Sequence, residues 1–142
     1  MLLGVHVSGV RKIYEAIEEA HALGCNTMQI FSRSPQRWRA DFLEPKDIEE
    51  FKRRQAKYEI KPIFIHISYL INLASPNAFL RRRSVESFAE ELGRCEALGI
   101  PYLVAHPGAH MDGGVREGCD LVADSLNRAR GIASAPDVIV SL

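Results

Sequence analysis

Apolar positions along this chain follow two rhythms. Five short runs, Leu2–Val7, Thr27–Phe31, Pro62–His66, Tyr102–His106 and Val138–Leu142, are nearly continuous in apolar side chains. Runs of that kind predict strands covered on both faces, as in a parallel sheet, because half-exposed strands alternate. Between the runs, apolar residues return every three or four positions. Ile13, Ala16, Ile17, Ala20 and Leu23 make one helical stripe, and Phe79, Val85, Phe88, Leu92 and Cys95 make another. Ile48, Phe51 and Tyr58, after Pro45, predict a third helix, and Leu121, Val122, Leu126 and Ala129 a fourth.

An internal echo supports this alternation. Ala22-Leu23-Gly24 leads into the second run and Ala97-Leu98-Gly99 into the fourth, each placing a glycine where a helix stops. The order β-α-β-α-β-α-β-α-β implies right-handed crossovers and a parallel sheet. Ala135-Pro136-Asp137 reads as a turn, followed by a last strand with no helix to cover it. The expectation is an α/β chain, a parallel (β/α)8 TIM barrel truncated after about four and a half βα units. Residues 1–142 would then be the N-terminal half of a single barrel domain, with the C-terminal half missing. A complete five-stranded doubly wound domain is the competing architecture, and it would normally carry a final helix.

Composition narrows the classes. Hydrophobic residues make up 46% and charged residues 25% of the 142, as in a globular domain. No apolar run reaches the length of a membrane span and no secretory leader is recognisable, so a cytoplasmic protein without a membrane partner is expected. Eighteen Lys and Arg balance eighteen Asp and Glu. Any nucleic-acid site must therefore be a local patch. Cys25, Cys95 and Cys119 stand far apart and form no CxxC pair, which predicts buried reduced thiols.

Three of the five histidines sit where strands run out: His6, His66 and His106. The C-terminal strand ends carry the site in parallel α/β folds, and imidazole is the commonest metal ligand near neutral pH. A lone strand-end histidine is more often structural, but three at equivalent ends point to a metal or acid–base site. His110 follows in the next loop, and His21 reads as a solvated helix position.

Two loops are unusual. Ser32–Glu44 carries Arg33, Arg37, Trp38 and Arg39, an aromatic among arginines that suits phosphate contact and base stacking, or a packed-down lid. Ile67–Pro76 is too apolar for an idle surface loop. It either folds back into the core or presents Tyr69 and Leu70 as a wedge. Arg81-Arg82-Arg83 opens the helix of the Phe79–Cys95 stripe and reads as a solvated face.

At these residues the chain resembles the endonuclease IV family of apurinic/apyrimidinic endonucleases, from Gly4 to its last residue. The matching pieces are Gly4-x-His6-Val7-Ser8, Met28-Gln29-Ile30-Phe31 with Gln36-Arg37-Trp38, the block from His66 through Ser68-Tyr69-Leu70-Ile71-Asn72-Leu73-Ala74-Ser75-Pro76, and His106-Pro107-Gly108-Ala109-His110. Two departures stand out: a short first loop, Gly9-Val10-Arg11, and Ala109 where serine is usual.

The resemblance implies a barrel with up to three zinc ions at its C-terminal face, cutting double-stranded DNA 5′ to abasic sites by metal-activated hydroxide attack on phosphorus. It implies His66 and His106 as ligands of one zinc, whose further glutamate ligand would follow Leu142. It places Gln36, Arg37, Trp38, Tyr69, Leu70 and Asn72 at the DNA. His6 and His110 are candidates for holding the ligands in place. No catalytic set is complete within the chain, so these residues alone are expected to be inactive, while the complete enzyme would be a monomer. The alternative is a metal-dependent sugar isomerase or epimerase on a xylose isomerase-like TIM barrel. It would need a polar pocket rather than an apolar wedge loop.

Overall fold

A computed structural model describes residues 1–7 and 11–142. Ser8 of the first motif and the Gly9-Val10 of the short first loop lie outside the described residues. Strands and helices alternate as β1 (Gly4–Val7), α1 (Glu15–Ala22), β2 (Thr27–Phe31), α2 (Pro45–Tyr58), β3 (Ile63–His66), α3 (Ala78–Leu98), β4 (Tyr102–Val104), α4 (Val115–Ile132) and β5 (Ile139–Ser141). The five strands pair in parallel and in chain order. Each neighbouring pair is thus joined across a helix, the arrangement that the periodicity predicts.

The helix ends show why the echo in the sequence matters. Gly24 and Gly99 both adopt positive φ, 76° and 70°. At the first, Gly24 N–H donates to His21 O and Cys25 N–H to Ala20 O. At the second, Gly99 N–H donates to Glu96 O and Ile100 N–H to Cys95 O. The same pair of bonds closes both helices and turns the chain back into the sheet. Helix α3 begins with Asn77, whose side chain accepts from Phe79 N–H and Leu80 N–H. Pro45 opens α2, where its missing N–H costs nothing.

The register sorts side chains into rows. Val7, Ile30, Ile65 and Leu103 lie abreast on one sheet face, and all four are buried with Ile17, Phe51, Phe88, Leu92 and Ala129. On the other face His6, Gln29, Phe64 and Tyr102 form one row, and Phe31, His66 and Val104 the next. Of these only His66 is buried. The runs predicted burial on both faces, but the described residues cover one. The second is the concave face that a closed barrel encloses with its other strands. Two smaller expectations also shift. Cys25 and Cys95 are buried thiols, but Cys119 is exposed. Phe79 begins the α3 stripe in sequence yet lies 57% exposed, because the helix start overhangs the core.

Candidate metal centre and nucleic-acid face

The rows bring three histidines to one rim. The His66 ring lies 5.1 Å from that of His106, edge to face, and 6.1 Å from that of His6, measured between centroids. Phe31 fills the space between β1 and β3, 4.5 Å from His6 and 5.4 Å from His66. Tyr69 stands over this group, 5.2 Å from Phe31 and 6.2 Å from His66. The strand-end histidines therefore converge, as their positions suggested.

Hydrogen bonds assign the rings different tasks. His66 Nδ1 lies 2.8 Å from Ile67 O, a carbonyl that can only accept. The contact requires a proton on Nδ1, and the neutral ring in that tautomer keeps its lone pair on Nε2, the form a metal ligand needs. His106 follows β4 and is exposed at the rim. A tetrahedral ion about 2.0–2.1 Å from each nitrogen would hold two ring centroids about 5 Å apart, and the His66–His106 pair meets that spacing. The two residues fit as part of a metal site. Among the described residues no group of three or more His, Cys, Asp or Glu is placed to hold an ion.

His6 is arranged otherwise. Gln29 Nε2 lies 2.8 Å from His6 Nδ1, and an amide N–H donating there puts the imidazole proton on Nε2. The ring then offers a donor to the rim rather than a lone pair. Partial burial, with the neighbouring His66 adding to it, lowers the His6 pKa and favours this neutral form. His110 is not brought into the ring group among the described residues. It packs against Gly118 at the start of α4, where a Cβ would lie 2.6 Å from that of His110, and its buried Nδ1 has no protein partner.

The apolar loop after β3 does both things that its sequence allowed. Ile67, Ile71, Leu73 and Ala74 fold back into the core, while Tyr69 stays 65% exposed and Leu70 half-buried. The loop is pinned from three sides. Ser68 Oγ and Tyr69 N–H both donate to Pro35 O, at 2.7 and 3.2 Å. Ser84 Oγ accepts from Asn72 N–H at 3.0 Å. The Asn72 side chain turns toward the loop after β4: Oδ1 accepts from Ala109 N–H and Nδ2 donates to Ala109 O, both at 3.0 Å. Gly108 beneath it takes φ 104°, and a Cβ there would lie 2.1 Å from Asn72 Oδ1.

In the loop after β2, Gln36 and Arg37 are exposed and Trp38 is half-buried. Arg33 is not the phosphate-contacting arginine that the loop's composition suggested. It is 8% exposed and points inward, with Nε donating to Glu91 Oε1 at 2.8 Å and Nη1 to Glu90 Oε2 at 2.7 Å. Arg83, read as part of a solvated run, covers a face of the Trp38 ring at 4.3 Å. Arg81 caps the preceding loop by donating to Ser75 O, and only Arg82 of the three is strongly exposed. The reading of residue types missed Glu91. Its signal was present: it lies three residues after Phe88 and four before Cys95, a carboxylate on an apolar stripe. Cys95 beside it is no nucleophile, since burial pushes its thiol pKa to about 12.

Comparison with known proteins now decides the family. A sequence model of the xylose isomerase-like TIM barrel matches residues 17–142. The chain belongs to that family. A curated protein of Methanoculleus marisnigri named "Probable endonuclease 4" is 41% identical over 142 residues, all of this chain and 50% of the relative. A protein of the same name from Chloroflexus aurantiacus is 40% identical over 125 residues, 88% of this chain and 44% of the relative. Among solved structures, endonuclease IV from Thermus thermophilus superposes with a TM-score of 0.81 at 34% identity, over 96% of this chain and 50% of that one. A D-tagatose 3-epimerase-like protein superposes at 0.73 but with 23% identity, which shows a shared fold alone. The endonuclease IV resemblance and the barrel fold read from the motifs are thus borne out. The chain spans about half the length of the curated relatives it matches.

Proposed function

We propose that this chain forms the metal- and DNA-facing rim of a zinc-dependent endonuclease that hydrolyses the phosphodiester backbone of double-stranded DNA 5′ to abasic sites. The observation that carries the proposal is the His66–His106 pair at ligand spacing, 5.1 Å between rings, directly beneath an exposed Tyr69. A metal site beside an outward aromatic suits a substrate whose backbone is cut where its stacking is broken. The endonuclease names of relatives at about 40% identity support the same reading.

In this proposal His66 Nε2 and the His106 ring hold one zinc ion, and the ion supplies Lewis-acid polarisation of the phosphate and a low-pKa water. Ile67 O orients His66, and Gln29 orients His6 so that its Nε2–H faces the rim as a donor. Gln36 and Arg37 face the DNA from one loop and Tyr69 and Leu70 from the next, while Trp38 under Arg83 and Asn72 bridged to Ala109 hold those loops in place. Two histidines are too few for a zinc site, so further ligands and any further zinc ions belong to residues outside this set, and these 142 residues by themselves are expected not to turn over. A cytoplasmic monomer is part of the proposal. Among the described residues, no helix is long and apolar enough to cross a membrane.

The test joins this chain to the remaining half of a curated relative and offers the zinc-loaded product a duplex with one abasic site. Incision 5′ to that site, abolished by chelation and restored by zinc, is the expected result. Epimerisation of a ketose without incision would replace the proposal with the sugar-isomerase reading.

A further inference from the structure

Helix α3 grips the loop after β2 along one stripe. Arg83, Ser87, Glu90, Glu91 and Arg94 recur at spacings of three and four and so share a face. Arg83 covers Trp38. Glu91 accepts from Arg33 and from Ser32 Oγ, Glu90 accepts from Arg33, and both the backbone carbonyl and the hydroxyl of Ser87 accept from Arg33. Arg33 also donates to Trp38 O at 3.2 Å, so every N–H of its guanidinium is engaged. Arg94 holds the loop at both ends, through Ser32 and through Asp41 O. Between Ser32 and Arg39, what remains outward is Ser34, Gln36, Arg37 and Arg39, all exposed.

Such an arrangement is costly. Glu91 is 1% exposed, and a buried ion pair is often no more stable than apolar residues of the same volume. What it does supply is a defined place. From the side of the helix the loop is fixed by Arg33, and from the side of β3 by Ser68 and Tyr69 on Pro35 O. We infer that Arg33 and Glu91 are a positioning pair that mounts Gln36 and Arg37 for contact with the DNA backbone, with Trp38 clamped by Arg83 as part of the mount rather than as a base-stacking ring. The DNA half of this inference rests on the function proposed above; the mounting half does not.

Trp38 is the single tryptophan of the chain, so its fluorescence reports this loop alone. The experiment uses the 142-residue chain, the double variant Arg33→Met/Glu91→Leu, which removes the pair without leaving a buried charge, and Arg83→Ala on the helix surface. Circular dichroism establishes folding and acrylamide quenching reads Trp38 in this chain, and binding to a duplex with one abasic site is measured at fixed salt on the same variants joined to the remaining half of a curated relative. Each folded variant should raise Trp38 quenching about twofold. The double variant should weaken abasic-duplex binding by at least about fivefold, the range of one lost contact, and Arg37→Ala should then cost less in that background than alone, because a misplaced arginine has little left to lose. Unchanged quenching in a folded variant overturns the mounting pair, and Arg83→Ala decides this if the double variant does not fold. Raised quenching with unchanged affinity overturns the positioning role. A joined parent protein with no preference for the abasic duplex overturns the DNA reading, while quenching in the 142-residue chain still decides the mount.

Discussion

Asn72 and Ala109 face each other across two loops as a backbone pair would, the side-chain amide of one matched to the N–H and C=O of the other at 3.0 Å each. The bridge joins the loop that carries Tyr69 to the loop that carries His106. Asn72 Oδ1 also accepts from Ala74 N–H, so its polar atoms are spent on the protein. Asn72→Ala should therefore lower stability by about 1–3 kcal/mol, the cost of leaving such partners unpaired, and weaken zinc binding through His106. Denaturant unfolding and zinc titration check this. Full stability with selectively weaker DNA binding would make Asn72 a DNA contact instead.

Gly108 gives a sharper version of the same point. Its φ of 104° and the 2.1 Å approach to Asn72 Oδ1 leave no room for a methyl group. Gly99 also has positive φ, 70°, but an added Cβ would meet only Lys52 Cε at 3.6 Å. Gly108→Ala should consequently destabilise more than Gly99→Ala when their melting temperatures are compared. Equal losses would show that the loops part easily and that the bridge constrains little.

For the metal pair, the chain joined to the remaining half of a relative is the object to measure. His66→Ala and His106→Ala should each lower bound zinc by about one ion and reduce incision by orders of magnitude. The double variant should cost little more than either single one, since both remove the same ion. Normal zinc content in both single variants would mean that the rings meet at 5.1 Å for packing alone.

Tyr69→Ala tests the exposed aromatic. The ring is 65% exposed and touches Phe31 and His66 only from above. Zinc content should be kept, while affinity for abasic duplex falls by about 1–3 kcal/mol, roughly 5- to 150-fold. Unchanged affinity at fixed salt would leave Tyr69 a lid on the ring group.

Asn77 tests local structure apart from function. Its carboxamide accepts from Phe79 N–H and Leu80 N–H at 3.1 and 3.0 Å at the start of the longest helix. Asn77→Ala should cost about 1 kcal/mol of unfolding free energy and leave zinc binding untouched. A change in metal affinity would mean that the start of α3 is coupled to the rim.

By itself the sequence determined the order of elements, the parallel sheet and the rim position of His6, His66 and His106. Those follow from periodicity, from the glycines that end helices and from the rule that strands joined by helices run parallel, all of them local or topological. Only the tertiary structure decided which residues serve the site and which serve the scaffold. Arg33 and Arg37 stand four apart in one loop and are alike in type, yet Arg33 turns in to Glu91, 58 residues away, and Arg37 turns out. Asn72 lies in a motif tied to DNA contact, yet its amide meets a backbone 37 residues on. His66 and His6 both end strands, yet a carbonyl leaves one with a lone pair and an amide leaves the other with a proton. Each outcome depends on which long-range partner fills a hydrogen-bonding group, and residue type specifies the capacity to bond but not the partner.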